Sequence, residues 1–137
     1  MKLYLKYTAV ALLMFLSFSG CNTQKPTPET DIDVARAFIE DILHDEFDEA
    51  EKLILKDKEN MDYFMLFKQK YHAKSKAELE KFKNADIIIH EINNVNDSVT
   101  IINYSNSYMK DNNSVIKTVR TDNKWLVDLK YTFSGNL

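Results

Sequence analysis

From Ile32 onward, apolar residues fall at three- and four-residue steps: Ile32, Ala35, Phe38, Ile39, Ile42 and Leu43. That spacing puts them on one stripe and predicts a helix from Asp31 to His44. Thr30 is placed to cap it. Its hydroxyl can accept the Asp33 N–H, while Asp31 and Asp33 bring negative charge to the positive end of the helix dipole. Beyond Asp45-Glu46, the positions Phe47, Ala50, Leu53 and Ile54 mark a second helical face. Met61, Phe64, Met65 and Phe67 mark a third, running to about Tyr71. Ser75 caps a more polar stretch, Lys76 to Lys83, whose packing face is thin.

At Asp86 the period changes. Ile87 to Ile92 is short and β-branched, which predicts a strand. Val99 to Met109 and Val115 to Thr121 predict two more, and Trp125 to Phe133 a fourth. In the last, Trp125, Val127, Leu129, Tyr131 and Phe133 alternate with Leu126, Asp128, Lys130 and Thr132, so Asp128 is expected on the face away from the core. The breaks fall on Asn93-Asn94/Asn96-Asp97, Asp111-Asn112-Asn113 and Asp122-Asn123, residue types that tolerate left-handed turns. Helices first and an antiparallel meander afterwards define the α+β class.

The chain ahead of this domain has a different pattern. Lys2 and Lys6 form a basic head, Tyr7 to Phe18 is almost wholly apolar, and Ser19-Gly20-Cys21 closes the run with small residues. An apolar stretch of that length is too short to span a bilayer and fits a secretory leader. With the cysteine directly after Ser-Gly, it resembles a bacterial lipoprotein signal. The resemblance implies cleavage before Cys21 and diacylglyceryl attachment to its sulfur, with residues 1–20 as signal peptide. Residues 21–29, containing Pro26 and Pro28, then read as a flexible tether, and residues 30–137 as the domain. The expected location is the bacterial cell envelope, lipid-anchored.

Composition narrows the function classes. Without Lys2 and Lys6 the processed chain carries 16 basic against 21 acidic residues, a net charge of −5. An acidic chain without basic clusters is a poor nucleic-acid binder. It would not hold anionic lipid by charge either, so membrane affinity would rest on the acyl chains, at ~0.8 kcal/mol per buried CH₂. The only glycines are Gly20 and Gly135, which leaves no phosphate-cradling loop and no nucleotide cofactor motif. With Cys21 acylated, no thiol remains for a disulfide, a metal or nucleophilic attack.

The stretches Asp33-Val-Ala-Arg-Ala-Phe-Ile-Glu-Asp-Ile-Leu-His-Asp-Glu-Phe-Asp-Glu-Ala-Glu-Lys-Leu53 and Asn112-Asn-Ser-Val-Ile-Lys-Thr-Val-Arg-Thr-Asp-Asn-Lys-Trp-Leu-Val-Asp128 resemble the NTF2-like superfamily. Within it they are similar to the small bacterial lipoproteins grouped as DUF4878-type domains. The likeness spans about residues 29–133. It implies a cone: helices packed into a strongly curved, mainly antiparallel four-stranded sheet, often around a pocket. The fold hosts enzymes, adaptors and scaffolds alike, so it implies no activity by itself.

The candidate pocket lining is Tyr63, Phe67, Tyr104, Tyr108, Trp125 and His90, whose rings and polar tips would suit a small apolar or glycan-like ligand. The first reading is a non-enzymatic binding or assembly module on the envelope. Its partners would be the membrane, such a ligand, or a second copy of the chain in a homodimer. The alternative is an envelope enzyme using His90 or Asp128 as general acid or base, which requires two such groups within reach of one substrate. Glu40, His44 and Asp48, four apart, could share a helix face as metal ligands do, although a break at Asp45-Glu46 would remove Asp48 from it.

Overall fold

The computed structural model describes residues 25–133; the leader and Cys21 lie outside the described residues. Among the described residues the architecture is α+β, with four helices, then a four-stranded antiparallel meander and a short closing helix. Helix α1 spans Asp31–Leu43 with Thr30 as its cap: Thr30 Oγ1 accepts the Asp33 N–H, and the Asp33 carboxylate accepts the Thr30 N–H. Its stripe of Val34, Ala35, Phe38, Ile39, Ile42 and Leu43 is buried and lies mainly over the last two strands of the sheet. Asp45, at φ 67°, turns the chain into α2, Phe47–Lys52.

Helix α3 runs Lys58–His72, starting three residues before the apolar pattern does, because Asp57 caps it through the Asn60 N–H. Phe64 and Tyr71 of α3 meet Phe47 at ring-centroid separations of 5.8 and 5.1 Å, and the Tyr71 hydroxyl donates to the Leu43 carbonyl. Helix α4, Lys76–Lys83, has a reciprocal Ser75–Glu78 cap and buries no residue fully; Leu79 and Phe82 pack half-buried against the core.

The strands are β1 Ile87–Asn96, β2 Val99–Asn106, β3 Ser114–Thr121 and β4 Lys124–Val127, in spatial order β1-β2-β3-β4. β1 is longer than its β-branched run. Pairing with β2 continues to Asn96↔Val99, so ladder hydrogen bonds override the weak strand preference of the asparagines. β2 stops at Asn106, whose side chain accepts the N–H groups of Tyr108 and Met109 and bends the chain away. Extra residues at His90 and Val95 bulge β1 against β2. Asp122 and Asn123, at φ 49° and 61°, form the left-handed pair that a two-residue β3–β4 hairpin requires. Ile102 faces Ile116 and Thr118 faces Val127 across the sheet, and all four are buried.

The expected fourth strand requires correction. It ends at Val127, and Leu129–Phe133 forms a helix, α5. Two competing sets of hydrogen bonds explain the break. Val127 gives its N–H to Leu53 and its carbonyl to Leu55, a parallel bridge that covers the edge of the sheet. Asp128 accepts the Lys130 N–H at 3.3 Å, as a helix cap does. Asp128 is therefore buried at 7 % exposure, not on the solvent face, and its carboxylate pairs with Lys117 at 3.2 Å.

Thr118 is fully buried, and among the described residues its hydroxyl has no hydrogen-bond partner. Thr118→Val keeps the shape and removes the desolvated hydroxyl. It is expected to raise the unfolding free energy by about 1 kcal/mol in a urea titration. A loss of stability would mean that the hydroxyl is paired.

Candidate functional site

Of the six candidate pocket residues, Trp125 lines one of the two concavities described below, and the other five line neither. Tyr63 and Phe67 on α3, and Tyr104 on β2, are half-buried against the hydrophobic core. Burial pushes the Tyr104 phenol up to about 12, opposed by a hydrogen bond with Ser114. Tyr108 is exposed beyond the end of β2, edge-on to Phe82 at 5.2 Å with the Lys81 ammonium over its ring. His90 is exposed on the bulge of β1, its Nε2 2.8 Å from Ser105 Oγ. Trp125 is half-buried on β4 and lines the larger groove of the molecule.

That groove encloses about 980 Å³. One wall is the segment from Lys25 to Glu29, which runs along the body without regular secondary structure. Asp33, Val34, Arg36, Ala37, Glu40 and Asp41 of α1 form the floor. Glu49, Lys52 and Leu53 come from α2 and the residue after it; Asn123, Lys124, Trp125 and Leu126 come from the β3–β4 hairpin. The lining combines the prolines, Val34, Leu53, Trp125 and Leu126 with charged side chains of both signs. Sequence periodicity could not reveal this site, because it depends on a long-range contact. Lys25 Nζ lies 2.9 Å from the buried Asp41 carboxylate and also pairs with Glu46.

Those contacts shape the electrostatics. Hydrogen bonds to Glu46 and Asp41 hold the Lys25 ammonium above its ordinary pKa. Glu46 is held below the usual carboxylate range by the hydrogen bond from Lys25. Asp41 is pushed up instead, because its desolvation outweighs the attraction of Lys25.

A second cleft of about 450 Å³ sits at the α1–α2 turn between Asp45, Glu46, Phe47, Asp48, Glu49, Lys68 and His72. Its polar groups are engaged in ion pairs, Glu46 with Lys25 and Glu49 with Lys52 from outside the cleft. His72 Nε2 is 2.7 Å from Asp45 Oδ1, Lys68 is 3.8 Å from Asp48, and the His72 ring is edge-on to Phe47 at 5.2 Å. Glu40 and Asp48 lie on different helices, separated by the turn at Asp45. Among the described residues no group of three or more His, Cys, Asp or Glu could hold a metal ion, and no helix is long and apolar enough to cross a membrane.

Asp57 ties α3 to α5. It caps α3, accepts from Asn60 Nδ2 at 2.8 Å and pairs with Lys130 at 2.9 Å. The hydrogen bond from the Asn60 backbone, and then Lys130, hold its pKa down to about 2 from an ordinary 3.8. A carboxyl whose folded pKa is depressed stabilises the fold above its unfolded value and loses that contribution as the pH falls toward the folded one. Between pH 4 and pH 2, the wild type is expected to lose more stability than Asp57→Asn. Parallel acid titrations followed by circular dichroism would test this, and superimposable slopes would refute it.

Comparison with known proteins finds no family model, no curated protein and no solved structure that matches this chain.

Proposed function

We propose that this protein is a lipid-anchored component of the bacterial cell envelope with an NTF2-like body, working as a non-enzymatic binding or assembly module. The observation that carries the reading is the groove. This concavity of about 980 Å³ holds Trp125, apolar side chains and charges of both signs, a lining suited to contact with a ligand or another protein. The disposition of the acid–base candidates supports the same reading. His90 is exposed beside a serine hydroxyl, and Asp128 is buried in a helix cap and an ion pair with Lys117. The Asp128 carboxylate is taken up by the Lys130 N–H and the Lys117 ammonium, and the hydrogen-bond partner of His90 is a serine hydroxyl, not a second titrating group. The leader ending in Ser19-Gly20-Cys21 supports the anchor.

Two measurements test the two halves of the proposal. In a bacterial host, radiolabelled palmitate is expected in the wild-type product and absent from Cys21→Ser, which should also retain its leader. Equal labelling would refute the anchor. Native mass spectrometry of the processed chain from envelope detergent extracts is expected to show an added small-molecule mass or a doubled mass. Bare monomer alone would refute the binding module.

A further inference from the structure

The stretch between Cys21 and the domain is fastened to the body at Lys25, and this restricts how the body can sit on a membrane. Lys25, its own side chain 55 % exposed, reaches Asp41 on α1 at 2.9 Å and Glu46 before α2, and the Asp41 side chain is only 6 % exposed. Pro26 and Pro28 then stiffen the wall of the groove as the chain runs to the α1 cap at Thr30. With the clamp made, four residue steps separate Cys21 from the fastening point, an extended reach of at most ~14 Å. Without it the first fixed point is Thr30, nine steps away, and the reach grows to ~32 Å. A domain of this size has a radius of gyration of about 13 Å and is roughly 30 Å across. The longer tether would let the body roll freely. The shorter one cannot pass around it.

We infer that the groove face, bearing Lys25, Lys124 and Trp125, is the surface that lies on the lipid bilayer, and that the Lys25 clamp holds it there. This rests on the acylation of Cys21 proposed above. The partner is the lipid headgroup layer itself, about 5–7 Å deep on each side of the hydrocarbon core and so within the clamped reach. Enforced proximity is the driving force, because the groove carries the acids Glu29, Asp33, Glu40, Asp41 and Glu49 beside its bases and does not select anionic lipid by charge. Trp125 suits the placement, since tryptophan rings favour the headgroup level of a bilayer.

Trp125 is the single tryptophan of the chain and therefore reports on this face alone. The test uses the acylated full-length product, processed at Cys21 and reconstituted on phosphatidylcholine vesicles containing phosphatidylcholine spin-labelled on the headgroup. Co-flotation with the vesicles measures anchoring, and quenching of Trp125 measures approach to the lipid. The wild type is expected to float and to be quenched. Lys25→Glu places a carboxylate against Asp41 and Glu46. It is expected to float equally, keep the wild-type circular dichroism spectrum and lose most of the quenching; Lys25→Ala, which removes the ammonium without adding repulsion, is expected to lose part of it. A wild type that floats unquenched overturns the inference and leaves the anchor standing. Quenching unchanged in both variants overturns the clamp. Failure to float overturns the anchor and the inference with it.

Discussion

Phe64→Ala is expected to lower the unfolding free energy by about 3–5 kcal/mol, the range for deleting a fully buried aromatic ring. Phe64 is 1 % exposed on α3, and its ring lies 5.8 Å from that of Phe47, which in turn meets Tyr71 at 5.1 Å. Removal of the ring strips contacts from α2 and α3 together. Stabilities of small domains lie at 5–15 kcal/mol, so the loss is a large fraction of the whole. Urea unfolding measures it. A cost below about 1 kcal/mol would mean that the site closes over the cavity or that the ring is not packed as described.

Asn60→Ala is the second large effect, and its cause is polar. Asn60 is completely buried. Its Oδ1 accepts the Leu129 N–H at 2.7 Å and the Lys130 N–H at 3.3 Å, while its Nδ2 donates to Asp57 at 2.8 Å. Alanine leaves the buried Leu129 N–H without its acceptor and weakens the Asp57 cap. Orphaning a buried donor costs about 1–3 kcal/mol, and with the cap the expected total is about 2–4 kcal/mol. Amide exchange at Leu129 should accelerate in the same variant. Unchanged exchange there would show that the α3–α5 tie does not depend on Asn60.

The parts of this fold that could be read from the sequence are those fixed by neighbours in the chain. Thr30 and Ser75 announce α1 and α4 because a cap needs only a hydroxyl and the backbone three residues on. Asp122-Asn123 announces the last hairpin because its residues tolerate left-handed backbone. The helical stripes and the β-branched runs give the α+β class in the same way. What failed was decided at a distance. The alternation from Trp125 to Phe133 fits a strand, yet Leu53 and Leu55 satisfy Val127 and Asp128 starts α5. A local signal was present, since an aspartate ahead of Leu-Lys-Tyr is also a cap. The role of Asn60 has no local signal, because the N–H groups it accepts from lie about seventy residues further along. The aromatic candidates were chosen for ring chemistry, and burial drew Tyr63, Phe67 and Tyr104 toward the core while Trp125 went to the groove.

The parallel bridge between Ile54 and Val127 has a consequence for the order of assembly. The edge that receives the helical half is the last strand to be synthesised, so the N-terminal half cannot complete its packing while the C-terminal half is still on the ribosome. Pairing across such a span is intrinsically slow. A polypeptide built this way seals its two halves together only once it is nearly whole.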